Sequence, residues 1–166
     1  ALRVPVSEWD SDQAILNTPA GIVDLRTGKL RRLEENDFVT KVAGVSPTKG
    51  NTPLFDQFLR ETFPAEHWGN EQEAVIDYIL GVLSLAVTGE QLVQQFFFLW
   101  GAGANGKSVL LDIMRDLLGD YGITLKTSAL MSGNQSGKDY EIARLDGVRM
   151  AVASELGRTD RWDEPL

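Results

Sequence analysis

Two apolar runs, and the turns that follow them, predict an α/β fold with a parallel sheet. Phe96-Phe97-Phe98-Leu99-Trp100 is a continuous, aromatic-rich run of strand length, the pattern of a central strand covered on both faces. It enters a glycine-rich turn and then a stretch from about Gly106 to Leu118. There Val109, Leu110, Ile113, Met114, Leu117 and Leu118 recur at helical spacing before Gly119. A second run, Val148–Ala153, ends at Ser154-Glu155. Strand, glycine-rich turn, helix, intervening segment and acid-ended strand describe the opening of a P-loop nucleotide-binding core that is incomplete at its C-terminus. A small mixed α+β module, mainly helical, is expected before it. The expected division is residues 1–90 for that module and 91–166 for the first part of the core.

The module begins with short extended pieces. Gly21–Leu25 and Leu30–Leu33 flank Arg26-Thr27-Gly28-Lys29, which predicts a hairpin with Gly28 at positive φ. Residues 44–53 are rich in turn formers and predict a loop. Thr52-Pro53 then reads as a helix N-cap followed by proline in the first turn. Leu54, Phe55, Phe58 and Leu59 carry the helical pattern, which should stop near Phe63-Pro64. A stronger helix is expected over about 71–88, closed by Gly89. It is apolar around most of its circumference, which predicts burial between layers. Further on, 122–125 reads as a short strand, 132–138 as a loop and 140–145 as a short helix.

Composition narrows the function classes. The 166 residues are 43% apolar and 24% charged, enough to bury a core. There is no cysteine, which excludes disulfides and Cys-based zinc sites and fits an intracellular setting. The longest apolar run is far too short to span a bilayer, and Ala1–Val6 lacks the apolar stretch of a signal peptide. The chain does not open on Met, which fits a piece of something longer. The formal net charge is -8. Residues 1–90 carry 8 Lys+Arg against 14 Asp+Glu, and residues 91–166 carry 8 against 10. Such acidity argues against a broad basic nucleic-acid surface, so any DNA contact must be local.

The chemistry concentrates at Gly101-Ala102-Gly103-Ala104-Asn105-Gly106-Lys107-Ser108, which fits G-x-x-x-x-G-K-[ST] at every fixed position. Glycines let the backbone curl so that successive N–H groups face phosphate oxygens. The helix beginning near Gly106 adds its positive end. Lys107 can reach the β- and γ-phosphates. The Ser108 hydroxyl can take one position on Mg²⁺, an ion that keeps several waters. A chance match in a chain of this length is below about one in a hundred. Glu155 lies 48 positions after Lys107 at the end of an apolar run. It is a candidate for holding Mg²⁺ through water or polarising the attacking water. Together Glu155 and Lys107 form the expected catalytic pair, and Ser108 and Glu155 the expected Mg²⁺ pair.

Other residues carry weaker signals. His67 is the lone histidine and reads as structural. Trp100 abuts the loop and reads as packing at a strand end. Arg26, Lys29, Arg31 and Arg32 are followed by Glu34, Glu35 and Asp37, the pattern of a solvated face rather than a DNA contact. Arg144, Arg149, Arg158 and Arg161 crowd the last third with no informative spacing.

From about residue 15 onward the chain resembles phage and plasmid primase-helicases of the poxvirus type. Asn17–Gly28, Thr40–Ala43, and Ile79-Leu80-Gly81 with Leu85, Thr88 and Gly89 resemble the N-terminal module of that family. Phe98–Ser108 is similar to its Walker A segment, and Arg149–Leu156 resembles its Walker B segment, including Ser154-Glu155. The resemblance implies a superfamily 3 helicase with an AAA+ type core. Such a protein hydrolyses ATP with Mg²⁺, acts on single- or double-stranded DNA and assembles as a homo-oligomeric ring, usually a hexamer. Its setting would be the cytoplasm of a bacterial or phage-infected cell. Lys107 and Ser108 would then contact phosphate and Mg²⁺, and Glu155 would be the Walker B acid. The family continues with a pore hairpin, a polar sensor and an arginine finger, for which about eleven residues after Glu155 leave no room. The expectation is weak nucleotide binding and little hydrolysis by this chain alone. Two other readings stand beside it: a different P-loop phosphotransferase such as a kinase, and a non-catalytic oligomerisation or docking module.

Overall fold

The alternating residues around Gly21 fold as an antiparallel meander. In the computed structural model, residues 4–89, 95–101, 103–130 and 138–153 are described. Strands β1 (Ile15–Thr18), β2 (Gly21–Asp24) and β3 (Lys29–Arg31) pair in sequence order. The expected hairpin is the β2–β3 turn, closed by Asp24 opposite Lys29. The Asp24 carboxylate accepts the N–H groups of Arg26 and Thr27 at 2.9 Å each. Those bonds, the Thr27 N–H foremost, lower the Asp24 pKa. Gly28 has φ 66°, the left-handed conformation that completes the turn.

Helix α1 (Pro53–Thr62) starts with proline in its first turn and stops where Phe63-Pro64 predicts. A single turn, α2 (Ala65–Trp68), leads to α3 (Gln72–Thr88), which ends at Gly89 with φ 68°. The expected burial of α3 between layers is not what the structure shows. Ile76 is its one fully buried residue among those described, while Tyr78 and Leu80 are exposed. Among the described residues one face of α3 meets α1, α4 and β1, and the opposite face is exposed.

Helix α4 (Lys107–Leu118) follows the glycine-rich turn. Strand β4 (Gly122–Leu125), the short helix α5 (Lys138–Ala143) and β5 (Met150–Ala153) complete the described chain. β4 and β5 pair in parallel, Gly122 opposite Met150 through Leu125 opposite Ala153. Among the described residues the fold is therefore α/β, with a three-stranded antiparallel sheet and a two-stranded parallel one. The predicted central strand at 96–100 is a correction. Residues 95–100 form no strand, and Phe96, Phe98 and Trp100 are 72%, 60% and 93% exposed. A run of this kind becomes a strand only inside a sheet with cover on both faces, and the described residues build no sheet around it.

Two apolar clusters hold the helices and sheets together, and each draws residues from before and after position 90. In one, Leu16, Ala43, Met114, Leu118 and Tyr121 are buried together, with Leu83, Val87 and Met150 against them. In the other, Leu59 of α1, Ile76 of α3 and Leu110 of α4 meet, ringed by Phe55, Phe58, Phe63 and Ile79. The backbone of 42–44 lies directly on the end of α4. Gly44 N–H donates to Leu117 O and Asp120 N–H to Val42 O, both at 3.0 Å. A Cβ on Gly44 would overlap the Asp116 carbonyl oxygen, so only glycine permits this approach.

Tyr121 and Arg149 tie the same region by polar contacts. The Tyr121 hydroxyl accepts from Asn17 N–H at 3.3 Å and donates to Lys41 O at 3.2 Å. Arg149 donates to Val87 O at 2.6 Å and Ile15 O at 2.5 Å, and its guanidinium lies 4.5 Å over the Tyr121 ring. Burial lowers the Arg149 pKa and raises that of Tyr121. Folding therefore favours the neutral phenol. That contribution is present in full below the ordinary value of 10.0 and is lost as pH rises through the raised folded-state value. Tyr121→Phe should cost about 1–2 kcal/mol at neutral pH and flatten the fall in stability above pH 10, read by urea unfolding across pH.

Candidate phosphate-binding site

The loop between residues 101 and 108 curls because three of its four central residues are left-handed. Gly103 has φ 94°, Ala104 50° and Gly106 78°. An alanine at positive φ is uncommon and marks a conformation imposed by its surroundings. Gly106 is the N-cap of α4, and its carbonyl accepts the Leu110 N–H at 2.9 Å to open the helix. The orphan N–H groups of the first turn of α4 thus sit at the end of the loop. Ala102 lies outside the described residues.

Lys107 is the first residue of α4, and its ammonium folds back into the loop. Nζ donates to Gly101 O at 3.2 Å and to Asn105 Oδ1 at 2.5 Å. The cation therefore joins the two ends of the loop. Gly103, Ala104, Asn105 and Ser108 are exposed, and Gly106 and Lys107 are half-buried. A ring of left-handed backbone closed by a half-buried lysine, at a helix N-terminus and open to solvent, can receive a phosphate-sized anion. Sequence reasoning singled out Asn105 only as a loop position. Its role as the side-chain partner of Lys107 emerges from the fold.

Glu155 and Ser154 lie outside the described residues, as do Arg158 and Arg161. The strand before them, β5, ends at Ala153. Among the described residues no cluster of His, Asp or Glu could hold a metal ion. A polar cleft of about 330 Å³ is lined by Asp10, Asp12, Tyr121, Asp146 and Arg149 among others, and it shares no residue with the loop.

The remaining sequence candidates fall elsewhere. His67 is exposed on α2, and Trp100, expected to pack at a strand end, instead stands 93% exposed in a segment that forms no strand. In the basic group on the meander, Arg26 pairs with Asp12 at 3.3 Å and Arg31 with Asp37 through both nitrogens, at 2.8 and 2.5 Å. The bond to Arg31 holds the Asp37 carboxyl below its usual pKa. These internal pairs match a solvated, self-neutralised face. Arg144 pairs with Glu141 at 2.7 Å. Arg149, which sequence spacing left unassigned, is the tie between β1, α3 and β5.

Comparison with known proteins gives two likenesses. Residues 1–64 match the family model described as D5 N terminal like. Over 158 residues the chain is 25% identical to "Putative helicase L207/L206" of Acanthamoeba polyphaga mimivirus, covering 91% of this chain and 16% of that protein. The chain thus spans about a sixth of the length of that relative. Both likenesses support a primase-helicase-type N-terminal region. No helix among the described residues is long and apolar enough to cross a membrane.

Proposed function

We propose that the loop Gly101–Ser108 binds Mg-ATP, and that the chain is a piece of a replicative DNA helicase of the primase-helicase type with a P-loop core. The observation that carries this reading is the Lys107 ammonium folded onto Gly101 O inside a left-handed loop at the first turn of α4. An incoming phosphate offers that ammonium charged oxygens in place of a neutral carbonyl, a stronger bond. Backbone N–H groups of the loop would hold the β-phosphate, and Ser108 would supply a hydroxyl to Mg²⁺.

Glu155 is proposed as the acid that orders the attacking water or the metal-bound waters. β5 begins beside the C-terminal end of α4, where Arg149 N–H bonds Tyr121 O at 2.8 Å, and it runs parallel to β4. Ligands of parallel α/β sheets bind at the C-terminal ends of the strands. In the whole protein the partners would be DNA and further copies of the same subunit in a ring. A kinase would need a lid and an acceptor pocket, and the helical module ahead of the loop favours the helicase reading.

Calorimetric titration of Mg-ATP and Mg-GTP into the 166-residue chain tests the proposal. The expected result is weak binding that prefers ATP, with DNA-stimulated hydrolysis in a longer chain. Phosphoryl transfer to a small acceptor would instead indicate a kinase. No heat from either nucleotide would remove the phosphate site.

A further inference from the structure

We infer that helix α1 is the back wall of the phosphate loop, and that Thr62 is a positioning residue for nucleotide binding. The inference rests on the reading of 101–108 as a nucleotide site and adds an element to it from the other half of the chain. A Cβ built on Gly106 would lie 2.5 Å from Thr62 Oγ1, 3.1 Å from Thr62 Cγ2 and 3.2 Å from Phe58 Cε2. The backbone of the loop's last glycine is therefore pressed against the final turn of α1. The other loop glycines show no such nearest contact with α1. Among the described residues Gly103 has nothing within 4 Å of its Cβ position, and the atoms nearest that of Gly101 belong to Asn105 and Lys107 of the loop itself.

The end of α1 is itself held rigidly. Gln72 of α3 donates one amide to two carbonyls on either side of Thr62, Arg60 O at 3.1 Å and Phe63 O at 2.8 Å. Those carbonyls would otherwise be orphans at a helix end. Arg60 also pairs with Glu73, and Leu59 is buried against Ile76 and Leu110. α3 thus fixes Thr62, and Thr62 fixes Gly106. Gly106 immediately precedes Lys107 and Ser108, so its placement sets where the ammonium, the hydroxyl and the first N–H groups of α4 point. A shift of even a fraction of an ångström at such a support weakens a preorganised site.

Thr62 is half-buried and outside the clusters of fully buried residues, so its truncation separates positioning from folding. Thr62→Ala should weaken Mg-ATP binding about three- to tenfold with the melting temperature moved by no more than about 2 °C. Thr62→Ser, which keeps Oγ1, should recover most of the affinity. Equal affinities for wild type and Thr62→Ala, or a loss not recovered by serine, would overturn the positioning role. The contact is read independently of nucleotide by thermal melts. Gly106→Ala should lower the melting temperature, and adding Thr62→Ala should restore part of the loss. No coupling between the two substitutions would overturn the back-wall contact whatever the titrations show. Coupling in the melts together with no ATP binding by the wild type would overturn the nucleotide reading, and with it the positioning role, but not the contact.

Discussion

Lys107→Ala should weaken Mg-ATP binding by about ten- to a hundredfold while leaving the fold intact. The magnitude follows from removing a charge-assisted contact, worth about 1.5–3 kcal/mol. The intact fold follows from what Lys107 touches. Among the described residues its ammonium bonds Gly101 O and Asn105 Oδ1 of the loop, and its side chain belongs to neither apolar cluster. Calorimetry gives the affinity and circular dichroism the fold. Unchanged affinity would mean that the lysine closes the loop without meeting a phosphate. Loss of structure together with affinity would mean that the Lys107–Gly101 bond is needed to form the loop itself.

Leu118→Ala should destabilise the protein by about 2–5 kcal/mol and should do so in one transition. Leu118 is among the largest side chains with no exposed surface, at the end of α4. It is packed with Leu16 of the meander, Ala43, Met114 and Tyr121. Truncating a leucine there removes apolar contact and leaves a cavity that tight neighbours cannot fill. For a chain of this length each kcal/mol moves the melting temperature by about 2–4 °C. The neighbours decide the cooperativity. Leu118 follows the glycine-rich loop in sequence, yet its cluster is completed by residues 16 and 43. Far-ultraviolet circular dichroism and the near-ultraviolet aromatic signal should therefore fall together. Two separate transitions would show that the segment before residue 90 and helix α4 fold as independent units.

Local chemistry was legible wherever it is written in neighbouring residues. The Asp24–Gly28 turn, the Pro53 start of α1, the Gly89 and Gly119 stops and the G-x-x-x-x-G-K-S loop each depend on one or two residue types with a conformational reason to be there. The helices over 53–62, 72–88 and 107–118 follow from apolar spacing and end within a residue or two of their predicted limits.

What the tertiary structure decided concerns cover and contact between distant segments. The aromatic run 96–100 has the composition of a central strand, but composition supplies no neighbouring strands, and its side chains stand exposed. The breadth of the apolar surface of α3 suggested two covered sides, and among the described residues one is covered. The linkers that unite the molecule carry no periodicity at all: Gly44 against Asp116, Arg149 spanning Ile15 and Val87, and Thr62 behind Gly106. Each joins positions 44 to 134 residues apart in the chain. A contact at that separation is selected by packing of whole elements, not by the few residues on either side. The sequence by itself determined helices α1, α3 and α4, the β2–β3 hairpin and the G-x-x-x-x-G-K-S motif; only the folded chain determined the fate of 96–100 and the contact of α1 with Gly106.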